Sequence, residues 1–424
     1  MKSLTKSIRS KLVSQDVHAQ FSIPVGNVLR DVQSAFFGLC INAGKAVLRA
    51  MMEAERTALC GPKGVPATER SAYRGGHARS WIVLGGRRIA IARPRARAVH
   101  TGELTLPSFT WAAHDDPLNA ATMSAMAAQV STRRYQSTLD ALPEGEEESA
   151  VSKSAVSRRF VALSAERLRQ WLARRIERPL PVVMIDGIHF MERVVLVALG
   201  FDLQGKKHVL GIREGSTEKT QVVRALLADL IERGLDAEAP RLWVIDGGKA
   251  LRRAITEIFG DTALVQRCQE HKRRNVLDHL PEELHASVGR ALRDAWNTKD
   301  ATLVRRQLER LASSLGKDHP GAAASLREGL HETLTLIALG VDDALYRTFR
   351  TTNPIENLNG LIAHYTRNVK RWRDGAMVLR WVGTALHEAG RGFRAVRGFR
   401  DMTQLVSALA RRVPAHVDVQ SKVA

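Results

Sequence analysis

Two aspartates stand where apolar, β-branched runs of the sequence end. Asp186 closes the run in VVMIDGIHF, Asp246 closes the run in RLWVIDGG, and a glycine directly follows each of them. A carboxylate at the carboxyl end of a strand in an open α/β sheet projects into the crevice where ligands bind. Each Asp-Gly pair taken alone is also the pattern of a simple turn. Together, on neighbouring strands, the two carboxylates predict a shared site for a hard cation.

A third acid, Glu356, lies in the polar segment RTTNPIENLN. Here Asn353 can cap a helix, Pro354 suits its first position, and Glu356 then falls at the third helical position. A glutamate at that position can also serve only to complete a capping box. Against this alternative, Asn357 and Asn359 add to the density of polar groups at the start of an otherwise apolar and basic helix. We therefore group Glu356 with the two aspartates.

Three carboxylates of this kind suit metal-dependent phosphodiester transfer. The reaction needs a metal-activated hydroxyl nucleophile and a second ion that stabilises the leaving oxygen, with the two ions about 3.5 to 4 Å apart. Ligand sets made only of oxygen select Mg²⁺ or Mn²⁺ over zinc. The sequence thus predicts that Asp186, Asp246 and Glu356 are catalytic and hold two Mg²⁺ or Mn²⁺ ions.

A C-x-x-H pair, Cys268 and His271, precedes three consecutive basic residues. A structural zinc site normally has four ligands, and the sequence offers no second Cys/His pair at a suitable spacing. We expect the pair to support the floor of the active site without zinc. Lys272, Arg273 and Arg274 follow, and they are predicted either to contact DNA phosphate or to form a solvated helix face.

The composition points to a polyanionic partner. The 424 residues include 64 Lys and Arg against 44 Asp and Glu, which gives a net charge of +20 and a pI near 10.5. Nucleic acid is the first candidate and an anionic membrane surface is the second. No apolar run approaches the roughly 18 residues of a membrane span, and the start of the sequence lacks a signal-peptide core, so we expect a cytoplasmic, nucleoid-associated protein. Three scattered cysteines fit a reducing compartment.

The three acids require elements that bring them together. Between residues 182 and 267, β-rich runs bounded by glycine alternate with amphipathic helices in the order βββαβαβ. This order predicts an α/β domain with a mixed sheet, and a ribonuclease-H-like fold has the same order. Residues 281–345 have helical patterns and are predicted to form a helical insertion. The predicted catalytic core therefore comprises residues 176–280 and 346–424.

The first part of the chain predicts a mainly helical DNA-binding region that contains a β-hairpin. Residues 32–60 carry apolar groups at helical spacing and form a candidate dimerisation helix within a first region, 1–75. In SWIVLGGRRIAIARPRAR, two β-rich runs flank a Gly-Gly pair, which is a two-residue hairpin signal. Arg87 and Arg88 follow this pair, and they either track DNA phosphates or protect an exposed edge strand by their charge.

Residues 76–175 are predicted to contain this hairpin and a second DNA-binding element. Two helical patterns after residue 119 are separated by the acidic break PEGEEES, an arrangement that suits a helix-turn-helix. The second helix carries Lys153, Arg158 and Arg159, which we expect to contact DNA. An ordinary helical hairpin with a basic face has the same pattern.

The last part of the chain is strongly basic. Between residues 361 and 413, 11 Lys and Arg face 3 Asp and Glu. Arg367, Lys370 and Trp372 lie near its start, and an aromatic ring flanked by cations can stack on an unpaired base near a cleaved DNA end. Packing of Trp372 in the core beneath the last helices is the alternative.

Five segments carry a resemblance to a known family: MIDGIHF, LGIREG, VIDGGKALRRAI, QRCQEHKRRNVLDHLP and FRTTNPIENLNGLIAHYTRNVKRW. In this order they resemble the signature blocks of bacterial Mutator-family transposases of the DDE type. In that family the catalytic acids lie in the blocks that match those around Asp186, Asp246 and Glu356, and the spacings of 60 and 110 residues fit. The resemblance covers roughly residues 180–400 and extends more loosely to residues 80–160, the expected end-binding region.

The resemblance implies a cut-and-rejoin DNA transposase. Such an enzyme binds the terminal inverted repeats of its element, hydrolyses a strand at each end and uses the freed 3′-hydroxyl to attack target DNA, as a homodimer or larger complex. Two other hypotheses stay open, namely a transposase-derived regulator without catalysis and a metal-dependent nuclease without specific end binding. One departure is His189, where the family often has a tyrosine or another large residue. It would lie on the strand face opposite Asp186, and we interpret it as structural.

Overall fold

The computed structural model describes residues 32–65, 72–100, 102–114, 148–149, 153–215 and 220–412. The chain divides into two compact units, Met1–Leu163 and Ser164–Ala424. Each unit is described by itself below.

The first unit combines helices with a small antiparallel sheet. Its described elements are α1 (Val32–Cys60), β1 (Ala72–Leu84), β2 (Arg87–Ala98), β3 (Gly102–Leu104), α2 (Pro107–His114) and β4 (Glu148–Ser149). β1 and β2 form a hairpin in which Leu84 pairs with Arg87. Gly85 and Gly86 adopt positive φ angles of 63° and 82°, as a two-residue turn between right-twisted strands requires. The predicted hairpin is therefore confirmed.

The hairpin packs against α1. Leu48 and Met52 of the helix form a buried cluster with Ile82, Ile91 and Leu106. Burial of these side chains stabilises helix and hairpin together, since a two-stranded hairpin alone is only marginally stable in water. The predicted region boundary after residue 75 falls inside β1, so we describe α1 and the hairpin as one structural element.

Helix α3 (Lys153–Leu172) follows, and its residues fall on both sides of the division between the units. It corresponds to the second helix of the predicted helix-turn-helix. The first helix of that motif, after residue 119, lies outside the described residues. The described structure thus contains one helix of the predicted motif.

A five-stranded mixed sheet organises the second unit. Its elements are β5 (Val182–Phe190), β6 (Arg193–Phe201), β7 (Lys207–Gly215), α4 (Thr220–Glu232), β8 (Arg241–Ile245), α5 (Lys249–Phe259) and β9 (Ala263–Arg267). The strand order is β7-β6-β5-β8-β9. β5, β6 and β7 are antiparallel neighbours, whereas β8 runs parallel to both β5 and β9. The predicted βββαβαβ order and the mixed α/β sheet are confirmed.

Side chains alternate between the two faces of this sheet, as the pleat of a strand dictates. On one face, Ile185 and Ile245 pack with residues of α4 and α5. On the other face, Met184 and Val244 pack with residues such as Leu358 from the helices that end the chain. Helices therefore cover both faces, and the nearly continuous apolar composition of β5 and β8 follows from burial on both sides.

The rest of the second unit is helical. Its helices are α6 (Gln269–Leu277), α7 (Glu282–Trp296), α8 (Ala301–Leu315), α9 (Pro320–Arg327), α10 (Thr335–Leu339), α11 (Asp343–Phe349), α12 (Asn353–Thr366), α13 (Gly375–Arg391) and α14 (Met402–Arg412). Leu292, Leu308 and Leu326 belong to a separate core shared by α6 to α10. The predicted helical insertion is thus a bundle with its own core.

One predicted helix of the insertion is broken. The sequence from residue 321 to 339 predicts a single helix, but α9 ends at Arg327 and a short 3-10 turn precedes α10. Gly329 has a φ angle of 60° at this break, and a Cβ atom there would lie 2.7 Å from Arg267 Nη1. The helix ends here because Gly329 adopts a left-handed conformation and leaves room for the Arg267 guanidinium, which a residue with a side chain does not.

Candidate active site

Asp186 lies within the central strand β5, and Asp246 directly follows the neighbouring strand β8. Met184 of β5 is in register with Val244 of the parallel neighbour β8. Asp186 and Asp246 each stand two residues beyond this last paired position, on strands about 4.8 Å apart. Side-chain alternation puts both carboxylates on the face that packs against α12 and α13. Asp186 and Asp246 therefore face the same side of the sheet, but among the described residues the carboxylate oxygens of Asp186, Asp246 and Glu356 do not form one group within 4.8 Å.

The backbone after each aspartate fixes one carboxylate oxygen. Asp186 Oδ1 accepts a hydrogen bond from the Gly187 amide at 2.9 Å, and Asp246 Oδ1 accepts one from the Gly248 amide at 2.8 Å. Gly247 has a φ angle of 103°, and a Cβ atom there would lie 2.1 Å from Arg267 Nε. Glycine is therefore required at this position for Asp246 to be presented in this orientation.

Glu356 lies in the first turn of α12, but not at the third helical position that a capping box requires. The cap residue is Thr352 rather than the predicted Asn353, so Glu356 is the fourth helical residue. Its Oε1 atom accepts a hydrogen bond from the Thr352 hydroxyl, whereas the Thr352 amide donates to Cys268 Sγ at 3.4 Å. A capping box needs the carboxylate on the cap amide at the third position, so the capping-box alternative for Glu356 is wrong.

Asn359 joins the helix of Glu356 to the strand of Asp186. Its Nδ2 atom donates a hydrogen bond of 2.9 Å to Asp186 Oδ2. Residues three apart lie on the same helix face, so Glu356 and Asn359 both face the sheet side of α12 that meets β5. Asn359 Oδ1 is buried and has no hydrogen-bond partner within the described part of the chain.

Asn359 is a site residue that the sequence analysis did not assign. In the sequence it is only one of several polar groups around Glu356. Its spacing of three residues from Glu356 was the available signal, because this spacing places two side chains on one helix face. The contact with Asp186 spans 173 residues of sequence, and helical spacing alone does not identify such a partner.

Cys268 and His271 hold the start of α12 against the start of α6. Besides the bond from the Thr352 amide to Cys268, His271 Nδ1 lies 3.3 Å from Thr352 Oγ1 and 3.7 Å from Glu356 Oε1. The Gln269 amide also donates to the Arg350 carbonyl at 3.0 Å. The C-x-x-H pair is therefore in contact with the residues that set the position of Glu356.

The charges of this pair depend on each other. Burial acts to raise the pKa of the Cys268 thiol, but hydrogen bonds with His271 and Thr352 outweigh burial and lower that pKa. The hydrogen bond with Cys268 raises the pKa of His271 against its burial, and the negative charges of Glu356 and Asp246 add to the rise. His271 is thus exposed to the fields of two of the three predicted catalytic acids.

The carboxylates of the three predicted catalytic acids are donors that a hard cation prefers, whereas Cys268 and His271 are donors of the kind that zinc prefers. Asp186, Asp246 and Glu356 offer only carboxylate oxygens, and the unpartnered amide oxygen of Asn359 is a further hard donor in the same place. Among the described residues, the ligand atoms of Cys268, His271 and Glu356 form one group within 4.8 Å of each other. That group has three ligands, whereas a structural zinc site normally has four. The two aspartates are not part of it.

Two of the basic residues predicted to contact DNA are buried. Lys272 is fully buried, and its ammonium donates to the carbonyls of Ser325 and Glu328 at 2.5 Å each. Burial lowers the pKa of Lys272 to about 8. Arg87 is only 4% exposed. Because a buried cation cannot reach a phosphate, the predicted DNA contacts of Lys272 and Arg87 are not compatible with this structure.

The other predicted DNA-contacting residues differ in exposure. Six of them are exposed, namely Arg88, Lys153, Arg158, Arg274, Arg367 and Lys370. Arg159 is half-buried, and so is Arg273, whose guanidinium pairs with Glu270 at 3.0 Å. Trp372 is also half-buried and packs edge-on against Phe190, with ring centroids 4.9 Å apart. The core-packing alternative for Trp372 agrees with this contact.

His189 is exposed and occupies the strand face opposite Asp186, as its odd spacing from that residue requires. This placement agrees with the predicted face. Among the described residues, no helix is long and apolar enough to cross a membrane.

The sequence matches a known family along most of its length. Residues 29–395 match the family described as "Transposase, Mutator family". The chain is 26% identical over 371 residues to the transposase for insertion sequence element ISRM5 of Rhizobium meliloti, covering 85% of this chain and 90% of that protein. It is 29% identical over 366 residues to the transposase for insertion sequence element IS406 of Burkholderia multivorans, covering 82% and 90%. The chain therefore belongs to the Mutator family of transposases.

Proposed function

We propose that this transposase cleaves DNA at the terminal inverted repeats of an insertion sequence and joins the freed ends to target DNA, with Asp186, Asp246 and Glu356 holding Mg²⁺ or Mn²⁺. The observation that carries the proposal is the hydrogen bond by which Asn359 ties the helix of Glu356 to Asp186, and it is supported by the parallel pairing of β5 and β8 up to two residues before Asp186 and Asp246. The strand order β7-β6-β5-β8-β9, antiparallel on one side of β5 and parallel on the other, supports a ribonuclease-H-like fold.

Each residue of the proposed site would have a separate role. Asp186 and Asp246 present carboxylates whose first oxygens are fixed by backbone amides. Thr352 and His271 hold the Glu356 carboxylate from its outer side, and Asn359 orients the second oxygen of Asp186. When bound, the divalent ions would activate the attacking hydroxyl and stabilise the leaving oxygen of the phosphodiester. The protein's contribution is to hold these ligands before substrate arrives, so that little reorganisation accompanies the reaction.

Joining two element ends favours an assembly of at least two copies. Val47 and Met51 lie one helical turn apart on α1 and are 45% and 36% exposed. Exposed apolar side chains at this spacing support α1 as the contact between copies. The exposed cations Lys153 and Arg158 of α3 support a DNA-contacting role for that helix.

The test is to remove the charge of each proposed metal ligand without changing its size. Asp186→Asn, Asp246→Asn and Glu356→Gln are each expected to abolish Mg²⁺-dependent cleavage and joining of supercoiled DNA that carries the element ends, while DNA binding persists. Asp261→Asn and Glu283→Gln remove exposed carboxylates of the same unit and serve as matched controls that retain activity.

The alternatives make different predictions in the same assay. A regulator without catalysis would leave the DNA uncut even with the unaltered protein, and a nuclease without end recognition would cut scrambled ends equally well. An active Glu356→Gln protein would remove Glu356 from the proposed ligand set.

A further inference from the structure

The second unit contains a basic cavity that the proposed active site does not use. It has a volume of about 460 Å³ and lies between the end of α3, the start of β7 and α13. None of its described lining residues is an Asp or a Glu, and six are Arg or Lys: Arg167, Arg174, Arg178, Lys206, Lys207 and Arg391. We call this cavity the basic pocket.

Two acids lie behind the basic pocket and neutralise part of its charge. Asp202 Oδ2 is 2.7 Å from His208 Nε2 and 3.8 Å from Arg178 Nη1. Glu388 pairs with Arg391 at 2.8 Å. Two carboxylates do not balance six Arg and Lys side chains, so the pocket keeps a positive potential that low-dielectric walls strengthen.

The cations of the pocket are also crowded. Lys207 is half-buried, lies 5.8 Å from the Phe393 ring centroid, and has a pKa lowered by burial. Burial and the charge of Arg167 lower the pKa of His387 on the opposite wall. An oxyanion in the pocket would supply a negative charge beside Lys207 and His387 and would thereby raise the pKa of each.

Strand register places the basic pocket close to the catalytic face of the sheet. Lys207 of β7 pairs with Phe201 of β6, which pairs with Val182 of β5. Asp186 lies four residues further along β5, so the Lys207 and Asp186 backbones are separated by about 13 Å along the strands and about 10 Å across two of them, or roughly 16 Å in all. Val209 and Phe393 of the pocket contact the same core as Met184, on the face that also bears Asp186.

A second cavity connects the basic pocket with α12. Lys207 and Phe393 line both cavities, and Pro354 and Leu361 of α12 line the second. Pro354 lies two residues from Glu356. The two cavities thus adjoin at Lys207 and Phe393, and the second one reaches the first turn of the helix that carries the third proposed catalytic acid.

We propose that the basic pocket binds backbone phosphates of the DNA strand about four or five nucleotides from the scissile phosphate. The separation of roughly 16 Å corresponds to about five nucleotides at 3.4 Å each along the axis of a DNA duplex. The proposal rests on the proposed function, since it takes the scissile phosphate to lie at Asp186. Phosphate contacts of this kind set the register of a protein on its duplex and do not read sequence.

The test compares two variants that each lose three exposed cations. R174A/R178A/K206A removes side chains of the basic pocket, and R305A/R306A/R310A removes exposed side chains of α8 in the insertion. Binding of the full chain to a short duplex of arbitrary sequence is measured by fluorescence anisotropy at several salt concentrations, without divalent metal. Each lost phosphate contact lowers the slope of log K against log salt by about 0.9. We expect a drop of about 2 to 3 for the pocket variant and almost none for the control.

Neutral methylphosphonate linkages then locate the contact. Placed four or five nucleotides from the cleavage point in a duplex that carries the element end, they should weaken binding of the unaltered protein and have no further effect on the pocket variant. Equal salt slopes for the two triple variants, or a methylphosphonate effect that persists in the pocket variant, would overturn the proposal.

Two controls keep the result interpretable. Should the pocket variant unfold, judged by thermal melting, K206A alone carries the test with an expected slope change of about 0.9, because Lys206 is exposed. An unaltered protein that fails to bind or cut DNA would refute the proposed function itself. A protein that binds and cuts, with a pocket variant that behaves like the α8 control, would refute only the role of the pocket.

Discussion

Replacing Asn359 with alanine should separate catalysis from stability. The substitution removes the Nδ2 donor that orients Asp186 Oδ2 at 2.9 Å. A hydrogen bond to a charged group contributes about 1.5 to 3 kcal/mol. If this energy holds the carboxylate in its metal-binding orientation, its loss lowers the rate of cleavage about ten- to a hundredfold, at 1.36 kcal/mol for each factor of ten.

The stability of the folded chain should change much less. Asn359→Ala also removes Oδ1, which is buried and has no hydrogen-bond partner in the described part of the chain. Burying an unsatisfied polar atom costs about 1 to 3 kcal/mol, so its removal offsets most of the lost bond. We expect the free energy of unfolding of Asn359→Ala to lie within about 1 kcal/mol of the unaltered protein. A buried polar atom without a partner, such as Asn359 Oδ1, is uncommon in folded proteins and is expected mainly at functional sites.

The assay is cleavage of supercoiled DNA with element ends as a function of Mg²⁺ concentration, beside thermal unfolding of the same samples. A positioning role predicts that Asn359→Ala needs more Mg²⁺ and is partly rescued by Mn²⁺, which N/O ligands bind more tightly than Mg²⁺. Asn275→Ala, at an exposed helical asparagine of α6, is the control. Full activity of Asn359→Ala, or a loss of activity that follows its loss of stability and ignores the metal, would refute this reasoning.

Three further predictions concern the surroundings of the site. Gly247→Ala should lower the free energy of unfolding by about 3 kcal/mol or more and abolish cleavage, because its Cβ would lie 2.1 Å from the Arg267 Nε atom. Gly260→Ala is the control: it also has a positive φ, but no atom lies within 4 Å of its Cβ, so it should cost only about 1 to 2 kcal/mol. Thermal melting of the two variants distinguishes these outcomes. Elemental analysis of purified protein should show no stoichiometric zinc, and one zinc per chain that is lost in Cys268→Ser would contradict this expectation. For Asp202, hydrogen bonds with His208 and backbone amides lower the pKa despite burial. The ionised Asp202 carboxylate therefore stabilises the folded chain at pH values above its unfolded pKa of about 3.8, and this stabilisation disappears as the pH falls through the lower folded pKa. Asp202→Asn should accordingly lower the melting temperature at neutral pH and make little difference near pH 2.

Much of the second unit follows from local sequence patterns. The runs VVMIDGIHF, RVVLVALGF and KHVLGIREG coincide with β5, β6 and β7 residue for residue. Strands of this kind are bounded by turn residues and consist of β-branched or apolar side chains, so local sequence is sufficient to define them. Local sequence does not define the pairing that brings the strands of Asp186 and Asp246 next to each other. That pairing joins β8 in parallel to β5 across 60 residues of sequence.

Errors arose where a distant partner decides the environment of a residue. Lys272 stands in a run of cations and has the pattern of a solvated face. Its ammonium nevertheless bonds to carbonyls 53 and 56 residues away, at the end of α9. Glu356 was placed one helical position too early because Thr352, rather than Asn353, caps α12. That single residue distinguishes a capping box from a carboxylate held by a hydroxyl and an imidazole, and helix boundaries are uncertain by this much in any sequence pattern.

The helical insertion lies in sequence between Asp246 and Glu356, two of the proposed metal ligands. Its helices share a core of their own, which includes Leu292 and Leu308. The chain leaves the sheet after β9 and returns at residues 350–352, where two bonds close the excursion: Gln269 amide to Arg350 carbonyl at 3.0 Å, and Thr352 amide to Cys268 Sγ at 3.4 Å.

This closure gives the C-x-x-H pair a structural role beside the proposed site. Cys268 also donates its amide to the Ile245 carbonyl at 2.8 Å, so the same residue contacts both the strand before Asp246 and the cap of the helix of Glu356. The position of Glu356 relative to Asp246 therefore depends on a short bridge through Cys268 and Thr352, and not on the length of the insertion. Changes inside the insertion that preserve its core should leave that bridge unchanged, because the cost of closing a longer loop rises only slowly with its length.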